Sequence, residues 1–339
     1  MSLDEWFLAN KRSFPWRDNP TPYRVWISEV MLQQTRASVV ISYFERWMAQ
    51  FPTVFALGSA SIEQVIKAWE GLGYYTRARN IHAAAKIIIE KHGGELPDAR
   101  EALLALPGLG PYTVGAILSF GFRQRAVAVD GNVARVVARF AWIDEEITKS
   151  SAKQKLEKAT ASLLNLKTPW VSMEALIELG ATVCTSLPLC HACPLQKDCI
   201  AYRKEMATAL PIKSAAPKVE KLTRGVAIVE ARGFVLVRKN QGDQLMGDLW
   251  EFPYFEETTS LLRVKRKLAV LFGETPILIQ RLAIVEHSFT RFSAKLFPFR
   301  FSLSECKPLA GFCWMARDKL QELPFSSGHR KLVKLLYTL

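Results

Sequence analysis

Four of the six cysteines stand at Cys184, Cys190, Cys193 and Cys199, a C-x5-C-x2-C-x5-C run. Four thiols spaced so closely can converge on one point only if the chain between them folds into a compact loop. A structural zinc site usually has two C-x2-C pairs set apart, whereas here one such pair is flanked by two wider gaps. A cubane iron–sulfur cluster needs four sulfurs converging on one point. The spacing leaves a cluster, a zinc site and buried free thiols open. A disulfide framework is disfavoured, because the N-terminus lacks the basic-then-apolar order of a secretion signal and so predicts a reducing, cytoplasmic compartment. Cys306 and Cys313 have no partner pattern and are expected to be small buried apolar residues.

The composition turns near residues 207–222. Before them, helical periodicity dominates. Ser61 is placed to cap a helix with Ile62, Val65, Ile66 and Trp69 on one stripe, and Asp98, with Glu101 three residues on, is placed to open another. The stretch 207–222, with two prolines and little periodicity, predicts an extended linker. After it, Val226–Val229 and Phe234–Val237 flank Ala231-Arg232-Gly233 as a hairpin, and 297–303 alternates like a half-buried strand, placed at an edge by Pro298. No window approaches the roughly 18 consecutive apolar residues of a membrane span, so no membrane role is expected. With 339 residues, 45 lysines and arginines oppose 32 acidic residues, for a net charge of +13. That balance favours an anionic partner, nucleic acid first.

The segment Leu106-Pro107-Gly108-Leu109-Gly110-Pro111-Tyr112-Thr113 looks like the hairpin of a helix-hairpin-helix motif at about 102–121. Its glycines Gly108 and Gly110 permit a turn whose backbone N–H groups approach a DNA phosphate. Downstream comes Val129-Asp130-Gly131-Asn132. Hairpin, aspartate and four-cysteine loop in this order resemble the endonuclease III superfamily of base-excision glycosylases. Within it, 26–35 (WISEVMLQQT) and 71–75 (GLGYY) resemble the adenine DNA glycosylase, or MutY, family. The resemblance covers essentially the whole chain. It implies an all-α helix-hairpin-helix glycosylase domain over 1–206 with an iron–sulfur loop at 184–199. A linker over 207–222 and an α+β Nudix-like domain over 223–339 follow.

The implied activity is hydrolytic release of adenine mispaired with 8-oxoguanine or guanine in duplex DNA, by a monomer that would be nucleoid-associated in a bacterium. The alternatives are a thymine or uracil mismatch glycosylase of the same superfamily, or a non-catalytic damage sensor. Adenine leaves poorly as an anion, so one carboxyl must protonate the base while a carboxylate stabilises the oxocarbenium-like sugar. The resemblance assigns the acid to Glu29 and the carboxylate to Asp130, with Asn132 positioning Asp130 or the attacking water. The apolar neighbours of Glu29 predict a raised pKa. Tyr112 stands where strand-cleaving relatives carry a Schiff-base lysine, which implies a monofunctional enzyme. By resemblance Arg12, Trp16, Arg17 and Glu174 contact the extruded adenine, Gln34 and Tyr74 enter the gap it leaves, and the four cysteines hold a 4Fe-4S cluster.

Three departures accompany the resemblance. The first cysteine gap is five residues where relatives usually have six. Met246–Pro253 resembles the opening of a Nudix box, but 261–267 is basic where pyrophosphohydrolases bind Mg²⁺ with carboxylates. The lesion-reading Phe-Ser-His of relatives is here Phe289-Thr290-Arg291, and an arginine offers donors only.

Overall fold

A computed structural model describes residues 1–214, 218–241, 246–289 and 291–337. Thr290, expected to hydrogen-bond the lesion, lies outside them. The helices in chain order are α1 (Leu3–Asn10), α2 (Pro15–Asp18), α3 (Pro22–Leu32), α4 (Ala37–Gln50), α5 (Val54–Ser59), α6 (Ile62–Ala68), α7 (Thr76–His92), α8 (Arg100–Leu104), α9 (Pro111–Ala116), α10 (Gly131–Phe140), α11 (Ser150–Leu163), α12 (Pro169–Thr182) and α13 (Ile200–Arg203). Then come β1 (Glu220–Ala231), β2 (Phe234–Lys239), β3 (Trp250–Glu251), β4 (Tyr254–Glu256), α14 (Leu261–Phe272), β5 (Ile277–Arg281), β6 (Val285–Phe289), β7 (Phe292–Ser302), β8 (Cys313–Ala316) and α15 (Ser327–Tyr337). None of the described helices is long and apolar enough to cross a membrane.

The chain forms two compact units that are discontinuous in sequence: 1–59 with 80–216, and 60–79 with 217–339. The expected division at 207–222 kept 60–79 with the helical part. The difference arises because α6 and the turn after it bond to the C-terminal segment, as described below. Part of the expected linker is also ordered: Leu210 is buried, its carbonyl accepts from Arg139 Nε at 2.9 Å, and Ile147 N donates to Ile212 O at 3.1 Å.

In the first unit α3 is the buried helix. Thr21 caps it, Pro22 supplies a preset φ at its first turn, and residues 25–31 are buried on every side. Helix α8 starts one residue later than expected, with Ala99 rather than Asp98 at the cap; the Asp98 carbonyl is instead engaged by Gln124 Nε2 at 3.1 Å. Gly108 turns the hairpin with φ +80°, and a Cβ there would meet the Asn80 side chain at 2.6 Å. Helix α9 then runs into a π-helical turn over Ile117–Gly121. Helix α10 packs against α12, where Gly180 lies so near Asn132 that a Cβ would come within 2.7 Å of the Asn132 Cβ.

The second unit is a mixed eight-stranded sheet with path β3-β2-β1-β7-β5; β4 pairs with β1, β6 with β7 and β8 with β2. Val226, Ile228, Val235 and Leu296 pack with Phe325, Leu332 and Leu336. Ala227, Val229, Leu236 and Phe301 pack on the opposite face with Val264 and Leu268. With α15 on one face and α14 on the other, β1 is buried on both sides and reads as a continuous apolar run. Arg232 and Gly233, at φ +49° and +84°, close the β1–β2 hairpin as a two-residue turn.

Two expectations are corrected here. Pro298 is not on an edge strand, because β7 lies parallel to β1 and antiparallel to β5 and β6. Its carbonyl accepts from Leu282 N at 3.1 Å, so its missing N–H faces the break between β5 and β6, where no partner is lost. Cys313 is exposed, since β8 pairs only with β2 at the sheet's edge, while Cys306 is half-buried.

Gly180→Ala should lower the unfolding free energy by about 1–3 kcal/mol through overpacking against Asn132. Gly131→Ala, where no atom lies within 4 Å of the added carbon, should change it by less than about 1 kcal/mol. Thermal and denaturant melts of the two variants measure the contrast, and equal losses would contradict it.

Candidate active site

A cleft of about 950 Å³ in the first unit is lined by Arg12, Trp16, Arg17, Glu29, Gln34, Tyr112, Asp130, Asn132 and Glu174. All the expected catalytic and adenine-contact positions within this unit therefore share one space. Tyr74, Phe289 and Arg291 belong to the second unit.

Glu29 projects from the buried helix α3 and is itself buried. Desolvation pushes its carboxyl up to about 7, with Asp130 and Glu174 adding to the rise and the Tyr112 hydrogen bond and Arg17 opposing it. Tyr112, at the start of α9, donates its hydroxyl to Glu29 Oε2 at 2.6 Å. Burial, followed by the charges of Glu29 and Asp130, pushes the phenol well above its ordinary value, so it stays a donor.

Asp130 is the N-cap of α10. Its Oδ1 accepts from the Asn132 and Val133 amides at 2.9 and 2.7 Å, and its Oδ2 accepts from Asn132 Nδ2 at 2.9 Å. Burial pushes this carboxyl upward and the three bonds pull against it. The positive end of the helix also favours the ionised form. Arg135, one turn along, donates to Asn132 Oδ1 at 2.9 Å, Gly180 O at 2.6 Å and Cys184 O at 2.7 Å. A continuous hydrogen-bonded chain thus runs from the cysteine segment to Asp130.

The floor of the cleft contains a residue the sequence reading missed. Glu178 of α12 is fully buried and accepts from Arg12 Nε at 2.5 Å and Arg17 Nη2 at 2.9 Å. Burial raises its pKa, but these bonds more than offset that and hold it below the usual glutamate value. Arg17 also lies 3.7 Å from Glu174 and over the rings of Phe7 and Phe14. Trp16 stacks on Phe14 at 4.7 Å. The available signal was the Glu174–Glu178 spacing, which puts two carboxylates on one helix face and calls for cations nearby.

The four cysteines line a second, apolar cavity with Val136, Phe140, Leu189 and Leu195. Arg139 of α10 donates to Cys184 Sγ at 3.3 Å and to Thr185 O at 2.6 Å. Burial pushes the Cys193 thiol up to about 11, so thiolates there call for positive charge at the centre. Among the described residues no three cysteine, histidine or acidic side chains are arranged around a single metal ion.

In the second unit Arg291 is exposed and ion-paired with Glu220 at 3.1 Å, and Phe289 stacks on His287 at 5.1 Å. Helix α14 carries Arg263, Lys265, Arg266 and Lys267 where the Nudix carboxylates were missing.

Glu29 links pH to stability in a defined direction. Well below pH 4.5 the proton is held in both states; as pH rises through 4.5 toward about 7 the unfolded chain releases it while the folded chain keeps it. The wild type should therefore lose about 3 kcal/mol relative to Glu29→Gln as pH rises through that window. Denaturant titrations from pH 4 to 8 measure the difference, and parallel curves would mean an ordinary carboxyl.

The profile of the HhH-GPD superfamily of base excision DNA repair proteins matches residues 27–162, and that of the NUDIX domain matches 225–335. Adenine DNA glycosylase of Rattus norvegicus is 41% identical over 229 residues, covering 65% of this chain and 44% of that protein. The chain thus spans less than half the length of the mammalian relatives it matches. Adenine DNA glycosylase of Buchnera aphidicola subsp. Acyrthosiphon pisum is 32% identical over 265 residues, covering 77% of this chain and 76% of the relative. Among solved structures, a thermostable thymine-DNA glycosylase aligns with a TM-score of 0.55 at 26% identity, over 60% of this chain and 94% of that one. A trapped endonuclease III–DNA covalent intermediate aligns with a TM-score of 0.51 at 26% identity, over 60% and 95%. With this site and these relatives, the chain belongs to the adenine DNA glycosylase family within the HhH-GPD superfamily.

Proposed function

We propose that this chain is a monofunctional glycosylase that hydrolyses the N-glycosidic bond of adenine opposite 8-oxoguanine or guanine in duplex DNA, acting as a cytoplasmic monomer. The observation that carries this reading is a buried Glu29, protonated near neutrality, in one cleft with an Asp130 held by three donors. Glu29 gives its proton to a ring nitrogen of the extruded base, which then leaves as neutral adenine. The electron pair of the breaking bond goes with the base. Asp130 stabilises the positive charge left on the sugar until water adds at that carbon, and the proton of the water returns to the carboxylate of Glu29. Asn132 fixes the Asp130 oxygens. Tyr112 holds the acid and, having no amine, forms no covalent link to the sugar. Arg12, Trp16, Arg17 and Glu174 contact the base, and Gln34 and Tyr74 fill its place in the stack. On the opposite strand, Phe289 and Thr290 read the lesion, while Arg291 holds a nearby phosphate.

Base release from duplexes carrying adenine opposite 8-oxoguanine, G, C and T, and thymine opposite G, tests the assignment. Adenine should be released from the first two. Glu29→Gln and Asp130→Asn should each lower turnover by at least about 10² while keeping duplex affinity within about tenfold. Release of thymine in place of adenine would overturn the reading, and near-normal turnover by either variant would remove that residue from its role.

We further assign a 4Fe-4S cluster to Cys184, Cys190, Cys193 and Cys199, supported by their shared apolar cavity and by the Arg139 guanidinium beside Cys184. When bound, the cluster would supply the positive iron core that four half-buried cysteine sulfurs would bind as thiolates. Protein purified without oxygen should be brown, absorb at about 400 nm and hold roughly four irons per chain, and Cys193→Ser should lose both signals. Stoichiometric zinc without iron would overturn the assignment.

A further inference from the structure

The loop Gly71–Tyr75 is held rigidly at its tip. Tyr74 is 43% exposed and has φ +50°, a left-handed conformation that a tyrosine adopts only when its surroundings impose it. Arg77 supplies much of that constraint. It donates to the carbonyls of Leu72 and Gly73 at 3.2 and 3.1 Å, and lies over the rings of Trp69 and Tyr74 at 5.2 and 5.5 Å. Trp69 Nε1 also donates to Gly73 O at 3.1 Å.

Directly before this loop stands Glu70, whose carboxylate is shared between its neighbour Lys67 and groups remote in sequence. Oε1 accepts from Arg330 Nε at 2.6 Å and from the Phe325 amide at 2.9 Å. Oε2 accepts from Arg330 Nη2 at 3.1 Å and from Lys67 Nζ at 2.8 Å. Lys67 goes on to Gln321 O at 2.6 Å, and Arg330 to the Leu323 carbonyl. Phe325 is fully buried in the core under β1 and β2 and stacks on Phe252 at 5.5 Å. The carboxylate is therefore tied to the core of the C-terminal fold and not to a loose surface arm. A bidentate arginine pair fixes direction as well as distance.

We propose that Glu70 is a positioning residue, a clasp through which the C-terminal fold, by Arg330 and the Phe325 amide, holds the Gly71–Tyr75 loop and with it Tyr74. This rests on the reading that Tyr74 enters the base stack. Under it, the fold that reads the lesion and the side chain that fills the vacated space are parts of one body. A stable extruded state then requires both to be engaged.

The test uses Glu70→Gln and Arg330→Gln in the full chain, with Tyr74→Ala as reference. Three quantities are read: amide exchange of residues 71–75, fluorescence of 2-aminopurine placed beside the target adenine, and turnover on the two mispairs. Each clasp variant should speed exchange at 71–75 without a general rise across 218–337, and lower extrusion about tenfold, the usual order for a lost charged hydrogen bond. The double variant should lose less than the sum of the two single losses, because both substitutions break the Glu70–Arg330 pair. Unchanged exchange and extrusion in variants that fold would overturn the clasp. A general rise in exchange would reduce Glu70 to a plain stability residue, which also overturns it. If Tyr74→Ala itself leaves extrusion unchanged, the reading of Tyr74 fails instead. Should Glu70→Gln not fold, Arg330→Gln alone decides: faster exchange at 71–75 with about tenfold less extrusion supports the clasp, and unchanged values in a folded Arg330→Gln refute it.

Discussion

The three hydrogen bonds on Asp130 do two things at once. Two of them satisfy open N–H groups at the start of α10, and all three fix the oxygens of the carboxylate that lines the cleft. The rest of the first unit depends on where α10 begins and how it is turned. Arg135 and Arg139 leave it one and two turns later to grip the cysteine segment. Gly180 allows α12 to approach near enough to bring Glu174 and Glu178 to the same cleft. A change of register in this helix would move the carboxylate, the cysteine loop and the cleft floor together.

The cleft is also an arrangement of charge. Four carboxyl groups and three arginines share it, and burial raises the proton affinity of every acid there. Glu178 escapes that effect because Arg12 and Arg17 both point at it. Arg17, committed to Glu178 and Glu174, leaves Glu29 dominated by desolvation and able to keep its proton. Acid and carboxylate differ less in chemical type than in what surrounds them.

Much of this was legible in the sequence because the signals were local. The Gly108 hairpin, the apolar surroundings of Glu29, the Arg232-Gly233 turn and the Ser61 cap are all written within a few residues. What escaped depends on remote partners. Glu178 matters through arginines some 160 positions away. The Pro298 strand was misplaced because the rule against proline inside a sheet says nothing about a break between two neighbouring strands. Segment 60–79 reads as an ordinary helix and turn, and its bonds to 239, 247–248 and 321–330 place it in the other unit.

That last feature has a consequence for synthesis. Units generally fold as the chain emerges, the earliest first. Every element of the cleft lies before residue 182, so its walls are available long before translation ends. Glu70 also accepts from the Phe325 amide and Arg330, which are synthesised well after those walls. A nascent chain therefore holds its reactive groups before it holds Gly71–Tyr75 in place. The order of assembly leaves Gly71–Tyr75 without its Glu70 anchor until residues 325–330 have been made.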